Sequence, residues 1–295
     1  MKAQMGARRT GNRENMIGSL WMVAAMALFA VEDAFVKLAS TSLPVGEVLV
    51  LFGLGGVILF GMVALLKNEK LFHADILSLP MRIRVCFEVT GRLFYVLALA
   101  LTPLSATTAI LQATPIVVVL GAALLFGEKV NWRRWAAIIA GLVGVLIIIR
   151  PATDSFSPLA ILALIGMIGF AGRDLASRAA PRTIATSALG FYGFAAIILA
   201  GVLYSLLWEQ TAYAVPEMKT LGLLLAASSV GVLAYTALMK AMRTGLVSVV
   251  TPFRYTRLLF GIGLGVALFG EQVDVPIIIG SCIIVASGLF ILSRR

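Results

Sequence analysis

The chain has 295 residues, of which 60% are hydrophobic and only 13% charged, with a mean hydropathy of +1.01 and a formal net charge of +10. A soluble domain carries about a quarter charged residues, so the composition excludes a water-soluble globular protein and calls for a lipid solvent. The basic excess is no nucleic-acid footprint either, because it is distributed along the chain in the alternating manner of a membrane topology signal.

Twenty or so apolar residues cross a bilayer as a helix. By that ruler an all-α membrane protein with ten transmembrane helices is expected, at 16–36, 44–66, 83–101, 104–126, 133–149, 157–177, 184–207, 219–241, 245–269 and 275–292. Residues 1–15 read as a basic cytoplasmic tail rather than a signal peptide, since the apolar run behind them lacks a small-residue cleavage site. The fifth span is short, with Trp132 and Trp135 as interfacial anchors. Basic residues gather on the N-terminal side of the predicted membrane, among them Lys67, Lys70, Arg82, Arg84, Lys129, Arg133, Lys240 and Arg243. The opposite side holds only Lys37, Arg150 and Lys219. The positive-inside rule then places both termini in the cytoplasm, as for a bacterial inner-membrane protein. Cys86 and Cys282 fall inside predicted helices, which argues against a disulfide framework.

The two halves match in order. Phe29-Ala30-Val31-Glu32-Asp33 with Lys37 in the first helix corresponds to Phe170-Ala171-Gly172-Arg173-Asp174 with Arg178 in the sixth. Gly91 and Tyr95 in the third are matched by Gly231 and Tyr235 in the eighth. Phe126-Gly127-Glu128 after the fourth is matched by Phe269-Gly270-Glu271 after the ninth. Five helices per copy is an odd number, so the second copy enters the membrane from the other side. The expected architecture is two inverted-topology five-helix repeats, 16–150 and 151–295, with a binding site near the midplane between them.

Paired five-helix units with F-G-E closing each fourth helix resemble the EamA-type branch of the drug/metabolite transporter superfamily over roughly residues 16–292. The resemblance implies a ten-helix inner-membrane carrier that works by alternating access without ATP. Pro252-Phe253-Arg254-Tyr255-Thr256-Arg257-Leu258 resembles a subgroup whose proposed substrates include amino acids, S-adenosylmethionine and riboflavin. The expected function is therefore secondary transport of a small polar or aromatic metabolite. A drug/metabolite efflux facilitator, a channel-like pore and an S-adenosylmethionine-type uptake carrier are the alternatives. The expected partners are substrate, lipid and protons, with the protein a monomer or homodimer. No cofactor, metal or enzyme activity is expected: one loop histidine, His73, accompanies no H-E-x-x-H, G-x-S-x-G or P-loop motif.

A charge inside a membrane helix costs about 2.5–3.5 kcal/mol on insertion scales, so each one needs a reason. Asp33 with Lys37 and Asp174 with Arg178 recur in both copies at i,i+4 spacing, which predicts structural or gating ion pairs near opposite membrane surfaces. Charges that occur once point instead to recognition or coupling. Glu32 and Glu88 are the candidate proton relays. Arg92, Arg254 and Arg257, with Tyr95, Tyr235 and Tyr255, are the candidate substrate-binding set. Arginine grips carboxylate or phosphate with two donors, and tyrosine adds a stacking face and a hydroxyl. Arg257, Gly261 and Gly265 are spaced by four, and Pro252 and Pro115 predict interruptions of the ninth and fourth helices. The competing structural readings are that Glu88 and Arg92 satisfy each other, and that Arg254 and Arg257 snorkel to an interface. Fusion reporters placed at residues 128 and 271 are expected to report opposite sides of the membrane; a shared side sinks the inverted repeat.

Overall fold

In the computed structural model the described backbone comprises residues 2–72, 74–126, 132–150, 157–179, 184–210, 213–244 and 250–293. The side chains of 2–12, 126, 134, 178, 242, 243, 251, 252 and 291–293 lie outside the description, and Glu128 and His73 lie outside it altogether. The helices are α1 (Lys2–Ala39), α2 (Val45–Leu66), α3 (Leu79–Leu101), α4 (Leu104–Leu111), α5 (Thr114–Phe126) and α6 (Trp132–Ile149). They continue as α7 (Ala160–Ala179), α8 (Thr186–Tyr204), α9 (Met218–Thr244), α10 (Thr256–Phe269) and α11 (Val275–Ser293).

Six of the described helical segments are long and apolar enough to cross a membrane: Arg13–Ala39, Val45–Leu66, Leu104–Leu125, Ala160–Ser177, Thr186–Glu209 and Met218–Ala241. The expected third span falls on α3, whose Arg84, Glu88 and Arg92 lower its hydropathy although Arg84 and Glu88 are buried within the protein. Large apolar side chains such as Leu124, Leu125, Ile139, Leu199, Leu203 and Ile278 are exposed on the outside of the bundle. Inside it, Phe52, Phe60, Tyr95, Leu104, Ile116 and Ile138 form one buried cluster. Apolar surface on both sides of the helices is the pattern of a multi-pass membrane protein.

The helix ends follow from local chemistry. Ser78 precedes α3 and a proline occupies its first turn; Pro103 then ends that run and stands as the cap of α4. The break between α4 and α5 has a specific cause. Pro115 has no N–H to give the carbonyl of Leu111, four residues earlier. The hydroxyl of Thr114 donates to that carbonyl instead, at 2.5 Å. A second interruption occurs at Thr251–Tyr255, a tight 3₁₀ turn around Pro252 that leads into α10. The two interruptions meet: the Gln112 amide Nε2 donates to the Arg254 carbonyl at 3.1 Å.

The main packing partners are α1 with α9, α3 with α7, α2 with α8, α6 with α11, and α4 with α10. Each pair joins the first half of the chain to the second. Under the sequence match of the halves, α1–α9 and α3–α7 exchange, while the other three pairs map onto themselves. Glycines permit the closest crossings. A Cβ at Gly91 would lie 3.0 Å from the Phe170 nitrogen, and one at Gly261 would lie 2.6 Å from the Thr108 side chain. The predicted glycine face of the ninth helix thus packs on α4.

The repeated F-G-E turn has a definite job where it is described. Gly270 ends α10 at φ 62°, in the left-handed region that glycine enters without a Cβ clash. The turn aims the Glu271 carboxylate at the start of α4, where it accepts from the N–H groups of Leu104 at 2.5 Å and Ser105 at 2.9 Å. These are donors that a helix cannot satisfy internally, and the negative charge suits the positive end of the helix dipole. Glu271→Ala is expected to lower stability by about 1–2 kcal/mol, read as a lower melting temperature in detergent, whereas Glu271→Gln should lose less.

Candidate functional site

A single central cavity gathers the residues that sequence pattern set apart. It encloses about 990 Å3 not occupied by protein atoms, its open mouth included. Arg92 and Tyr95 reach it from α3, Tyr235 from α9, Arg254 and Tyr255 from the turn before α10, and Arg257 from α10 itself. Glu88 lines it as well, and Glu32 stands behind Arg92. Arg84, Gln112, Phe170, Arg173 and Phe194 complete the chemistry of the wall.

The buried charges pair across helices. Asp33, 1% exposed, accepts from Arg257 Nη2 at 2.5 Å and from the Tyr95 hydroxyl at 2.9 Å. Glu32, also 1% exposed, pairs with Arg92 at 3.0 Å. Glu88 is shared between Arg84 at 3.5 Å and Arg173 at 3.4 Å. Asp174 accepts from Arg173 at 2.9 Å and faces Arg254 at 3.9 Å. Aromatic faces cover the guanidiniums: Arg92 lies over Phe52 and Phe170, Arg173 over Phe170, and Arg257 over Phe29 and Tyr95. Partnered in this way, ions that would be prohibitive alone are held in a low-dielectric interior.

Several expected pairings give way to these. Asp33 does not pair with Lys37 four residues on but with Arg257, because burial in the middle of the bundle places the tertiary partner closer. Lys37 turns toward the far end of the bundle, donating to the carbonyls of Leu99 at 2.7 Å and Thr102 at 2.5 Å and covering Phe269. Asp174 takes Arg173 and Arg254 as partners, and the Arg178 side chain lies outside the described residues. The two aspartates therefore pair with arginines that line one cavity. Glu88 and Arg92 do not satisfy each other, since Arg84 and Arg173 occupy the glutamate and Glu32 occupies Arg92. Arg254 and Arg257 bond within the protein instead of snorkelling to an interface. Arg254 lies in the 3₁₀ turn, so helical spacing to Gly261 does not govern its direction. Tyr255 lines the wall with its ring, but its hydroxyl has no hydrogen-bond partner among the described residues.

Two residues escaped the sequence-based site. Arg84 sat among basic residues read as a topology signal, yet it is 4% exposed and donates to Ser177 at 3.0 Å. Arg173 was noted only as the counterpart of Glu32. Arg84 lies four residues before Glu88 on one helical face, whereas the tie of Arg173 to Glu88 crosses helices and no spacing reveals it. No group of three metal-ligating side chains occurs among the described residues.

The cavity lies toward the bundle end that holds the starts of α3 and α8. Further polar contacts among the described residues gather at the other end. Besides Lys37 and Glu271, Arg150 pairs with Asp274, the Glu47 carboxylate accepts from the Ala214 N–H at 3.1 Å, and Glu209 accepts from the Gly46 N–H at 3.0 Å.

The sequence matches the EamA-like transporter family twice, over residues 16–150 and 157–293. The chain belongs to this family. Proteins that it resembles are named for different cargoes. It is 28% identical over 275 residues to the pseudopaline exporter CntI of Pseudomonas aeruginosa, covering 92% of this chain and 94% of that protein. It is 23% identical over 282 residues to the S-adenosylmethionine uptake transporter of Rickettsia prowazekii, covering 93% and 92%. It is 27% identical over 279 residues to the riboflavin transporter of Vibrio cholerae, again covering 93% and 92%. One crystal structure superposes on this EamA chain with a TM-score of 0.61 at 18% identity, covering 96% of this chain and 98% of that one, a likeness of fold.

Removing one partner of a buried ion pair strands the other and costs about 3–5 kcal/mol. Asp33→Asn is accordingly expected to lower the melting temperature sharply. The double variant Asp33→Asn with Arg257→Met should recover much of the loss, because no lone charge remains. Equal loss in both would remove the pair from the account of stability.

Proposed function

We propose that this protein is a secondary transporter of ten membrane-crossing helices in two inverted five-helix units, carrying a small organic metabolite by alternating access. The observation that carries this reading is the cavity itself, with polar walls around the helix breaks of α4–α5 and α10. A carrier exposes its site to one side at a time, and broken helices near the midplane supply its polar groups. The exchange of packing partners between matched halves supports the inverted repeat. Both termini lie in the cytoplasm of a bacterial cell under this reading, with the cavity facing the same side.

In the proposed site Arg92, Arg254 and Arg257 with Tyr95, Tyr235 and Tyr255 surround the substrate, an amino-acid-like metabolite or a vitamin such as riboflavin. Asp33–Arg257 and Asp174–Arg254 are the gating pairs, and Glu32 and Glu88 are the proton-coupling carboxylates. Relatives named for export and for uptake share the family, so direction follows the gradient.

Purified protein in proteoliposomes should show saturable uptake accelerated by substrate on the opposite side, which a pore does not. Glu32→Gln and Glu88→Gln should each lower the rate and flatten its dependence on pH. If both variants keep the wild-type rate and pH profile, proton coupling through these residues is wrong.

A further inference from the structure

The charges facing the cavity do not balance. Its guanidiniums are Arg84, Arg92, Arg173, Arg254 and Arg257, and the carboxylates paired with them are Glu32, Asp33, Glu88 and Asp174. Five guanidiniums against four carboxyl groups leave an excess of positive charge among the described residues. In a membrane interior that surplus is unfavourable until an anion meets it.

The arginines differ in how freely they can accept one. Releasing Arg92 or Arg257 would strand Glu32 or Asp33, each 1% exposed. Arg173 is divided between Glu88 and Asp174. Arg254 stands apart: its contact with Asp174 is the longest of the set at 3.9 Å, and its side chain is 30% exposed. Asp174 keeps Arg173 at 2.9 Å when Arg254 leaves, so the exchange strands no carboxylate. Arg84 stands in the same wall and is 4% exposed, and its buried Nη1 has no hydrogen-bond partner among the described residues. The free oxygen of Glu32 offers no counterweight, since it lies against Gly231 rather than in the cavity wall.

We propose that the cavity takes an organic monoanion whose carboxylate replaces Asp174 on Arg254, with Arg84 Nη1 as a further donor. Phe29, Phe170, Phe194 and Tyr235 then receive an aromatic or apolar body. Arg92 and Arg257 act as positioning residues. The assignment deepens the transport reading and rests on this cavity being the substrate site.

Thermal-shift titrations of the purified full chain test it with probes that differ only in charge: 3-phenylpropionate against its amide, and N-acetylphenylalanine against its amide. The acids should bind about tenfold or more tightly than the amides, the worth of a hydrogen bond to a charged group. Arg254→Gln should erase that preference, and Arg254→Lys should keep part of it. Asp174→Asn should strengthen acid binding by removing the internal competitor. Amides binding as well as acids, no stabilisation by either acid, or an intact preference in Arg254→Gln each overturn the proposal. Proteoliposome flux separates the two readings. Acid-selective binding without saturable flux supports the anion site and sinks the carrier, whereas flux indifferent to charge does the reverse.

Discussion

Everything in the middle of this bundle depends on buried charge being met by charge from another helix. Asp33 on α1 can be buried at the core because α10 brings Arg257 and α3 brings the Tyr95 hydroxyl. Glu32, one residue earlier, points to Arg92 and so ties α1 to α3 a second time. The pairing is at once the condition for placing ions in lipid and the source of the polar cavity. Hydrophobic contact could not set these helices in place alone, since lipid tails compete for apolar surface as well as another helix does.

The network is uneven, and the unevenness runs along the cavity. Around Asp33 the partners are close and almost fully buried; around Asp174 they are longer and about a quarter exposed. The two aspartates occupy matched places in the halves of the chain, yet both take a partner from the same segment: Arg257 lies close to Asp33, and Arg254 stands farther from Asp174. Broken helices make the difference tolerable. Thr114 and Gln112 take over hydrogen bonds that regular helix would have made, leaving the chain near Arg254 anchored by side chains rather than by a rigid helical turn.

Much of this was legible in the sequence, for physical reasons. Composition announced the lipid solvent, and Pro115 and Pro252 announced the breaks because a missing N–H is written in the residue itself. Comparing the halves set Arg92, Arg254 and Arg257 apart, and all three line one cavity. The partners were not legible. An i,i+4 spacing says that Asp33 and Lys37 share a face, but not that Arg257, more than two hundred residues away, comes nearer. Arg84 was hidden for a related reason: near a helix end it reads as one more cytoplasmic cation, and only its burial reveals otherwise. The F-G-E turn marked the close of the fourth helix in each copy without revealing that the Glu271 carboxylate serves a helix in the opposite half.

That last contact bears on how the molecule is made. The start of α4 receives the acceptor for its free N–H groups from Glu271, close to the end of the chain. During synthesis, Leu104 and Ser105 emerge long before that carboxylate exists, and α1, α2, α3 and α6 likewise wait for their main partners from the second half. The helices of the first half therefore gain their main packing partners only once those of the second half have been made. The packing is interlocked rather than modular: the family match occurs twice in the sequence, yet helices of each half pack chiefly on helices of the other.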